Sequence, residues 1–321
     1  MRNSILAFAE QFKYQPEIIN RKKLMKYKRV ILCGMGGSHL AADLIKIWNH
    51  SLDLTIHSNY GLPLLPKSVL GEALIIISSY SGNTEEVLDT LHEAIRRKLN
   101  IVCIASGGKV LQVAHKNKLP YVELPATSIQ PRMAVGFSMR ALLKVLGERD
   151  ALEMSEPLAE TLKPDNLELP GKSLAEKLRH SVPVVYSSQT NLPIAYNWKI
   201  KFNETGKIPA FYNVLPELNH NEMNGFDVKE STKLLSRKFS FVFIEDENDY
   251  PRIRRRMKVL NNFYIKRGLA VYHVPLVGKN IFEKIFNSIV LADWAAYYTA
   301  TGYHLDPEYV PMIQEFKKAL D

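Results

Sequence analysis

The stretch RVILCGMGGSHLAADLI, residues 29–45, decides the fold of this chain. It contains four consecutive apolar residues at 30–33, which is typical of a strand buried on both faces of a parallel sheet. Three glycines follow within the next four residues, and after Ser38 the apolar residues recur with helical spacing. The stretch therefore predicts a strand, a sharp glycine turn and a helix whose first amide groups can bind an anion.

A second stretch, ALIIISSYSGNTEEVL at residues 73–88, has the same order of strand, polar turn and helix. Hydroxyl residues surround Gly82 in its turn, just before a helix with two early glutamates, which we expect to face solvent. Hydroxyls and unpaired helix amides together can hold a phosphate group. The residues predicted to bind it are Gly37, Ser38, Ser79, Ser81 and Thr84.

Both turns also have simpler interpretations. The first fits neither GxGxxG nor GxxxxGK[ST], and no acidic residue follows about 20 positions later at the end of a second strand, so a dinucleotide site is not expected. A tight turn that binds nothing, or a capped helix after a serine-rich turn, is the alternative that these residues alone leave open.

The remaining apolar runs alternate with helical patterns in two series, which predicts parallel sheets with helices on both faces. In the first half the predicted strands are 29–33, 73–77, 100–105 and 120–124, with a helix over 83–98. In the second half they are 182–188, 239–245 and 269–275, with helices around 192–203, 250–267 and 279–301. Each half is thus predicted to be a doubly wound α/β unit.

The length and one linker-like segment divide the chain into two domains. Its 321 residues are about twice the size of a typical domain. LKPDNLELPGK, residues 162–172, has the proline, glycine and charge content of a linker and places the boundary near 150–170. We therefore predict one domain over residues 1–155 and a second over residues 156–321.

The composition is that of an ordinary globular protein, with 46% hydrophobic and 23% charged residues. Residues 1–16 are predicted to form an amphipathic helix rather than a signal peptide, and residues 281–303 a buried helix rather than a membrane span. The two cysteines, Cys33 and Cys103, lie in predicted strands and are too few for a disulfide framework. These features predict a cytoplasmic protein with no membrane partner.

The net charge of +9 is compatible with nucleic acid, an anionic membrane surface or anionic small substrates. Its densest cluster is RIRRRMK, residues 252–258, on a predicted helix. We interpret this cluster as a solvated helix face, because its basic residues point in several directions. No nucleic-acid-binding motif accompanies it in the sequence, so no nucleic-acid partner is predicted.

The two polar turns together carry a specific resemblance. GMGGS at 34–38 and SSYSGNTEE at 78–86 are similar to the phosphosugar-binding signature of the sugar-isomerase (SIS) superfamily. The resemblance implies that hydroxyls of the serine-rich turn hold the phosphate of a sugar. It does not fix the reaction, since SIS domains also occur in amidotransferase isomerase modules and in transcriptional regulators.

Three further segments resemble the bifunctional phosphoglucose/phosphomannose isomerases, which have two SIS subdomains. They are QPRMAVGFSM at 130–139, KFNETGKIPAFYNVLPELNHNEMNGF at 201–226 and LADWAAYYTATGYHLDPEYVPMIQEFKKALD at 291–321. With the two turns they make five segments in the family's order, which cover nearly the whole chain. By this resemblance the catalytic residues are Arg132, Glu204, His220 and Lys317.

The resemblance also implies a role for each of these residues. Glu204 would carry the proton between C1 and C2 of the sugar, and Arg132 would stabilise the cis-enediolate. His220, assisted by Lys317, would open the sugar ring. Glutamate and histidine suit these tasks chemically, particularly where burial moves the carboxyl pKa towards neutrality.

The residues themselves leave competitors in place. Glu217 and Glu222 lie near His220 in the sequence, and the lysine that follows Lys317 is the alternative to it. Without the resemblance, Glu204 would be read as a residue that pairs on a helix and His220 as a structural histidine. The chain also has Glu308 where many relatives have a small residue after Asp-Pro, so the sequence does not settle the preference between glucose and mannose.

The function implied is an aldose-ketose isomerase that interconverts glucose 6-phosphate, and mannose 6-phosphate as well, with fructose 6-phosphate. Relatives are homodimers with shared active sites, and no metal or other cofactor is expected. A metal-dependent isomerase is one alternative, for which His220 with Glu222 is a sparse ligand set. A phosphosugar-binding or sensing protein without catalysis is the other, and the presence of both Arg132 and Glu204 argues against it.

Overall fold

The computed structural model of the chain describes residues 1–127 and 129–320. The strands are β1 Arg29–Cys33, β2 Leu54–His57, β3 Ala73–Ser78, β4 Asn100–Ala105, β5 Tyr121–Glu123, β6 Val182–Ser188, β7 Phe211–Leu215, β8 Phe239–Glu245 and β9 Ala270–Pro275. They form two separate parallel sheets, which confirms the predicted α/β class.

Helices connect the strands in both sheets. The α-helices are α1 Arg2–Leu6, α2 Leu40–Trp48, α3 Lys67–Gly71, α4 Glu85–Arg96, α5 Gly108–Lys116, α6 Val135–Leu146, α7 Arg149–Ser155, α8 Leu158–Thr161, α9 Glu168–Lys177, α10 Leu192–Glu204, α11 Glu222–Gly225, α12 Lys233–Ser236, α13 Pro251–Lys266, α14 Ile281–Gly302 and α15 Pro311–Leu320. Short 3-10 helices are Phe8–Lys13, Arg21–Lys23, Gly36–Ser38, Pro131–Met133, Pro164–Leu167 and Glu217–His220.

The described residues form two compact units. The N-terminal unit is residues 7–161, and the C-terminal unit is residues 1–6 together with those from 162 onward. Helix α1 lies in the C-terminal unit because Ile5 is fully buried there and α1 packs on α14. The Arg2 guanidinium also pairs with the Glu168 carboxylate, with an Nη2–Oε2 distance of 2.8 Å.

The N-terminal unit has the strand order β2-β1-β3-β4-β5. Residues that alternate along β1, such as Ile31 and Leu32, point to opposite faces, and both are buried. Both faces of this sheet are therefore covered, as in a doubly wound fold. The strand order reverses between β1 and β3, and in such sheets ligands bind at the carboxyl ends of the strands at this reversal.

The C-terminal unit repeats this plan with four strands in the order β7-β6-β8-β9. One face of its sheet packs an aromatic core that includes Tyr186, Phe241 and Tyr264. The long helix α14 is mostly buried, as predicted for residues 281–303. No helix within the described ranges has the length and apolar character needed to cross a membrane.

The two units divide between residues 161 and 162, within the predicted range, but the segment 162–172 is not an irregular linker. The segment is a 3-10 helix followed by the first turns of α9, and α9 packs along α14. Pro164 occupies the start of the 3-10 helix, where a missing amide hydrogen costs little. Gly171 is needed for close packing, because a Cβ there would lie 2.4 Å from the Cβ of Trp294.

The amino-terminal prediction was also only partly correct. Residues 1–16 were expected to form one amphipathic helix, but α1 ends at Leu6 and a 3-10 helix follows at Phe8–Lys13. The two cysteines are buried as expected. Burial raises the pKa of both the Cys33 and the Cys103 thiols to about 12, so they are protonated at neutral pH.

Candidate active site

The two predicted phosphate-binding turns lie side by side in the N-terminal unit. Cys33 and Ile77 are register partners, so the turns after β1 and β3 begin at the same level. The Ser78 hydroxyl donates to the Ser38 carbonyl oxygen at 2.7 Å. The amide of Tyr80 donates to the Ser38 hydroxyl oxygen at 3.0 Å. Ser38 therefore ties the glycine turn to the serine-rich turn at the point where the strand order reverses.

Ser79 holds the serine-rich turn from inside. Its side chain is fully buried, and its Oγ lies 2.9 Å from the Thr84 Oγ1. The same Oγ accepts a hydrogen bond from the Gly82 amide at 3.1 Å. The turn is thus preorganised by its own hydroxyls, which keeps the start of α4 in a fixed position.

Ser81 and Thr84 are the more accessible hydroxyls of this turn. Ser81 is exposed and Thr84, the residue before α4, is half-buried. The first amide groups of a helix have no acceptor within the helix, and the helix dipole makes this end positive. Glu85 is exposed, as expected, whereas Glu86 is half-buried. Hydroxyls and amides at this end of α4 form a suitable environment for a phosphate.

A third turn, which the sequence analysis missed, supports the other two. Gly82 has a φ of +69°, and a Cβ there would lie 1.9 Å from the carbonyl oxygen of Gly107. Gly108 also has a φ of +69°, and its Cβ would lie 2.4 Å from the Ser81 carbonyl oxygen. The backbones of the two turns therefore touch. The double glycine after β4 was the available signal, because adjacent glycines after a strand indicate a close backbone approach.

Arg132 lies next to the glycine turn. A Cβ on Gly37 would lie 2.9 Å from the backbone nitrogen of Arg132, so the two backbones are in direct contact. Arg132 is 1% exposed and belongs to the 3-10 helix that precedes α6, at a turn before a helix as predicted. The structure thus brings this guanidinium-bearing segment against the turn that is expected to bind phosphate.

The structure also shows a buried pair that the sequence did not reveal. His39 follows Ser38 directly, and its Nδ1 lies 2.6 Å from the Asp43 Oδ2 one helical turn further on. Both side chains are largely buried. A histidine and an aspartate four residues apart share a helix face, which was the signal available in the sequence.

Glu204 is the last residue of α10 in the C-terminal unit and is half-buried. Three residues earlier on the same helix, the Lys201 Nζ lies 2.6 Å from the Asp293 Oδ1 on α14. The Lys207 ammonium donates to the Glu204 carbonyl oxygen. These contacts fix the end of α10, and with it the backbone that carries the Glu204 carboxylate.

His220 ends the short 3-10 helix that follows β7 in the same unit. Its side chain is exposed, whereas Leu218 in the same helix is fully buried. The buried leucine anchors the segment, so the imidazole is held at the surface on a fixed backbone. Strand β7 packs against α10, but Glu204 precedes the amino end of β7 and His220 follows its carboxyl end.

The two competing glutamates have other partners. The Glu222 carboxylate accepts hydrogen bonds from the Tyr186 hydroxyl and from the Asn213 side-chain amide. Burial, together with Tyr264 and Glu222, raises the pKa of Tyr186, so its hydroxyl stays protonated and donates. The exposed Glu217 carboxylate accepts from the Asn221 side chain at 2.8 Å. Glu222 therefore has a structural position at the edge of the aromatic core.

The terminal helix α15 carries Lys317, and every residue of this helix is exposed. Lys318 is equally exposed, so exposure does not distinguish the two lysines. The Glu308 carboxylate forms a salt bridge with the Met1 amino group at 3.0 Å. In the part of the chain that the structure describes, no three His, Cys, Asp or Glu side chains form a group that could hold a metal ion.

Comparisons with known proteins agree with the fold. A family model described as the bacterial phospho-glucose isomerase C-terminal SIS domain matches residues 168–320. The bifunctional phosphoglucose/phosphomannose isomerase of Aquifex aeolicus (strain VF5) is 33% identical over 308 residues, which are 93% of this chain and 92% of that protein. The protein of the same name from Caldicellulosiruptor bescii is 31% identical, over 91% of this chain and 89% of that protein.

Solved structures support the fold alone. Glucosamine-6-phosphate deaminase from Thermotoga maritima superposes with a TM-score of 0.67 at 16% sequence identity. The match covers 96% of this chain and 95% of that chain. At this level of identity the similarity extends to the arrangement of strands and helices, and the chemistry must be argued from individual residues.

Proposed function

This chain belongs to the bifunctional phosphoglucose/phosphomannose isomerase family, and from that premise we propose how its residues carry out the reaction. The reaction is an aldose-ketose isomerisation, in which glucose 6-phosphate or mannose 6-phosphate interconverts with fructose 6-phosphate. One observation carries the proposal: two hydroxyl-bearing turns are joined through Ser38 where the strand order of a parallel sheet reverses.

The N-terminal unit binds the phosphate in this proposal. Ser81 and Thr84 donate their hydroxyls to it, and Gly37 allows the backbone to approach closely. Ser38 joins the two turns, and its hydroxyl hydrogen is a further donor. Ser79 donates its hydroxyl hydrogen to the Thr84 Oγ1, which leaves the Thr84 hydrogen for the phosphate. The first amides of α4 add a positive end of the helix dipole. The hydrogen bonds of Ser79 to Thr84 and Gly82 preorganise the serine-rich turn, which limits the conformational entropy lost when the phosphate binds.

Glu204 is the base of the proposed reaction. Isomerisation removes a proton from the carbon next to the carbonyl group and returns it to the neighbouring carbon, so one carboxylate can serve both steps. Glu204 is half-buried at the end of a helix that a buried ion pair fixes to α14. A base on a fixed backbone keeps its geometry between the two proton transfers.

The remaining charged groups act on the oxygen atoms of the sugar. Arg132 stabilises the negative charge of the cis-enediolate, for which a fixed guanidinium is suited. His220, assisted by Lys317, transfers the protons that open and close the sugar ring. His220 is exposed at the end of an anchored 3-10 helix, which supports the proposal that its imidazole contacts a bound sugar rather than a residue of its own segment.

We further propose a cytoplasmic homodimer with shared active sites, in which His220 serves the site of the partner. Helix α15 supports this, because Met312, Ile313 and Phe316 expose a continuous apolar face on a helix with no buried residue.

The proposed cytoplasmic location is supported by the two cysteines, whose buried, unpaired thiols fit a reducing compartment. The reaction as proposed needs no metal ion, and full activity after dialysis against EDTA would be the expected result.

The test is a coupled assay with glucose 6-phosphate and mannose 6-phosphate supplied separately. Glu204→Gln keeps the size of the side chain and removes the base, so kcat should fall by about 10²–10⁴ with a small change in KM. Glu217→Gln is the matched control, since Glu217 is an exposed glutamate of the same unit whose partner is Asn221. It should stay near the wild-type rate.

Two results would contradict the proposal. Turnover by Glu204→Gln at the wild-type rate would remove Glu204 from the mechanism. Absence of turnover with either sugar phosphate in the wild-type protein, despite measurable binding, would favour the phosphosugar-binding alternative.

A further inference from the structure

The basic cluster on α13 borders a surface cavity in the C-terminal unit. The cavity has a volume of about 430 Å³, within the range of small-molecule sites. Arg252, Arg255 and Arg256 line one part of it, and Val259 and Phe263 line another. These positions are three, four, seven and eleven residues apart along α13, so they share one helix face. The cavity is thus basic at one end and apolar at the other.

The basic residues of the cluster are exposed and point in several directions, as expected from the sequence, but three of them share one cavity. Arg254 belongs to a different cavity, which also includes Asp246 and Glu247. Lys258 does not line the arginine cavity. Helix α13 directs three guanidinium groups to one side and separates them from the acidic groups on the other.

Acidic side chains do little to balance the positive charges of the three arginines. No acidic side chain lines this cavity among the residues that the structure describes. Arg256 donates to the Asn219 side-chain oxygen at 3.2 Å, which is a neutral acceptor. Over the same described ranges, Arg252 and Arg255 have no ion-pair partner. Like charges three or four residues apart destabilise a helix, so a bound anion would relieve their repulsion.

We propose that this cavity binds a nucleoside di- or triphosphate. The planar guanidinium groups can each donate two hydrogen bonds to phosphate oxygens. The aromatic base would pack on the apolar end, where Phe263 is 42% exposed and the Arg267 guanidinium lies 5.6 Å from its ring centre. A single phosphate would use only part of the basic end, and a hydrophilic sugar would leave the apolar end uncovered.

The cavity also touches the segment that carries His220. Asn219, which accepts from Arg256, directly precedes His220 in the 3-10 helix. A phosphate that binds Arg256 competes for this hydrogen bond and changes the restraint on the segment. Nucleotide binding therefore regulates the isomerase, a step that depends on the role proposed for His220.

Binding is tested by titration calorimetry of the full-length protein with ATP, in the presence of saturating fructose 6-phosphate to occupy the substrate site. One ATP should bind per chain. The double variant Arg252→Ala/Arg255→Ala should weaken binding by about 100-fold or more, because it removes two charged hydrogen-bond donors. Adenosine, which lacks phosphates, should bind too weakly to measure.

The matched control is Arg254→Ala/Lys258→Ala, which removes the same charge from the same helix outside the cavity. Its affinity for ATP should equal that of the wild type. Equal weakening in both double variants, no ATP binding by the wild type, or a shift from dimer to monomer in Arg252→Ala/Arg255→Ala would overturn the proposal. All four side chains are exposed, so thermal unfolding should show that the variants are folded.

Regulation is tested separately by the isomerase assay with and without ATP. ATP should change the kcat of the wild type and leave that of Arg252→Ala/Arg255→Ala unchanged. An unchanged wild-type rate at saturating ATP would overturn the regulatory link, whereas the calorimetry would still decide the binding site. Failure of the proposed isomerase activity itself is visible in the assay without ATP.

Discussion

Gly82 determines the shape of the phosphate-binding turn at the level of one residue. Its φ of +69° lies in the left-handed region, which costs other residues about 1–2 kcal/mol. Its α-carbon also faces the backbone of the turn after β4, with no room for a side chain. The contact between the two turns positions Ser81 on one side of the glycine and Thr84 on the other.

We therefore predict that Gly82→Ala impairs both folding and substrate binding. The added methyl group would lie 1.9 Å from the Gly107 carbonyl oxygen, so the turns must separate. The free energy of unfolding should fall by more than about 2 kcal/mol in urea denaturation, and KM for fructose 6-phosphate should rise. Gly71→Ala is the control, because a Cβ there meets nothing within 4 Å, and it should be neutral or slightly stabilising. Wild-type stability and KM in Gly82→Ala would show that the turn is not constrained in this way.

At the same scale, the sequence could predict site residues that lie in local motifs but not the contacts between distant residues. The hydroxyls and Arg132 could be proposed from the sequence because each lies in a short, contiguous motif. The contact between Gly37 and Arg132 joins residues almost a hundred positions apart, and no local pattern encodes it. The partners of Glu222, Tyr186 and Asn213, are likewise distant in sequence, so spacing alone left Glu222 as a competitor for Glu204.

At the level of elements, the sequence predicted the central strands and the edge strands β5 and β9, but it missed the other two edge strands. β1, β6 and β8 have the predicted bounds, because their continuous apolar runs are buried on both faces. β2 and β7 were missed. Each lies at a sheet edge and has polar or exposed positions, so no apolar run marks it. The apparent linker failed for the opposite reason, since proline and glycine there permit a close helix contact rather than a flexible connection.

The pairing of α10 with α14 leads to a prediction at the same level. Lys201 and Asp293 form an ion pair in which both side chains are almost completely buried. Lys201→Met places a buried carboxylate next to an apolar group, so the free energy of unfolding should fall by about 3–5 kcal/mol. Trp198 on α10 and Trp294 on α14 provide fluorescence signals for the urea titration.

The control is the double variant Lys201→Met/Asp293→Leu, which removes both charges. It should regain most of the lost stability, because well-packed apolar residues often replace a buried ion pair without loss. If the double variant is as unstable as Lys201→Met, the loss comes from packing rather than from the charge. If Lys201→Met unfolds like the wild type, the pair does not stabilise the contact between the two helices.

At the level of the whole molecule, the division into two units was foreseeable, whereas the placement of the first residues was not. Two series of strands in one chain of this length indicate two sheets. Helix α1 joins the second of them although it precedes the first in sequence. Its contacts, such as Arg2 with Glu168, join residues 166 positions apart. Only tertiary packing determines such a placement, so a division by sequence order assigned it to the first domain.

The proposed sharing of His220 between subunits makes a prediction about mixed dimers. In a Glu204→Gln homodimer both sites lack the base, and in a His220→Asn homodimer both lack the imidazole. A mixed dimer has one site in which both residues are replaced. If His220 acts in the partner's site, the other site contains an intact Glu204 from one subunit and an intact His220 from the other. In a symmetric two-subunit assembly every mixed dimer therefore has one complete site.

Mixing equal amounts of the two inactive variants, with subunit exchange by mild denaturation and refolding, should thus restore activity. Half of the dimers are mixed and half of their sites are complete, so about a quarter of the wild-type rate is expected. If His220 acts in its own subunit, every site in the mixture lacks one residue and the rate stays at the level of the separate variants. Refolding each variant alone controls for recovery, and sedimentation analysis confirms that dimers are present. A mixture that gains no activity while mixed dimers are demonstrated would contradict the shared site.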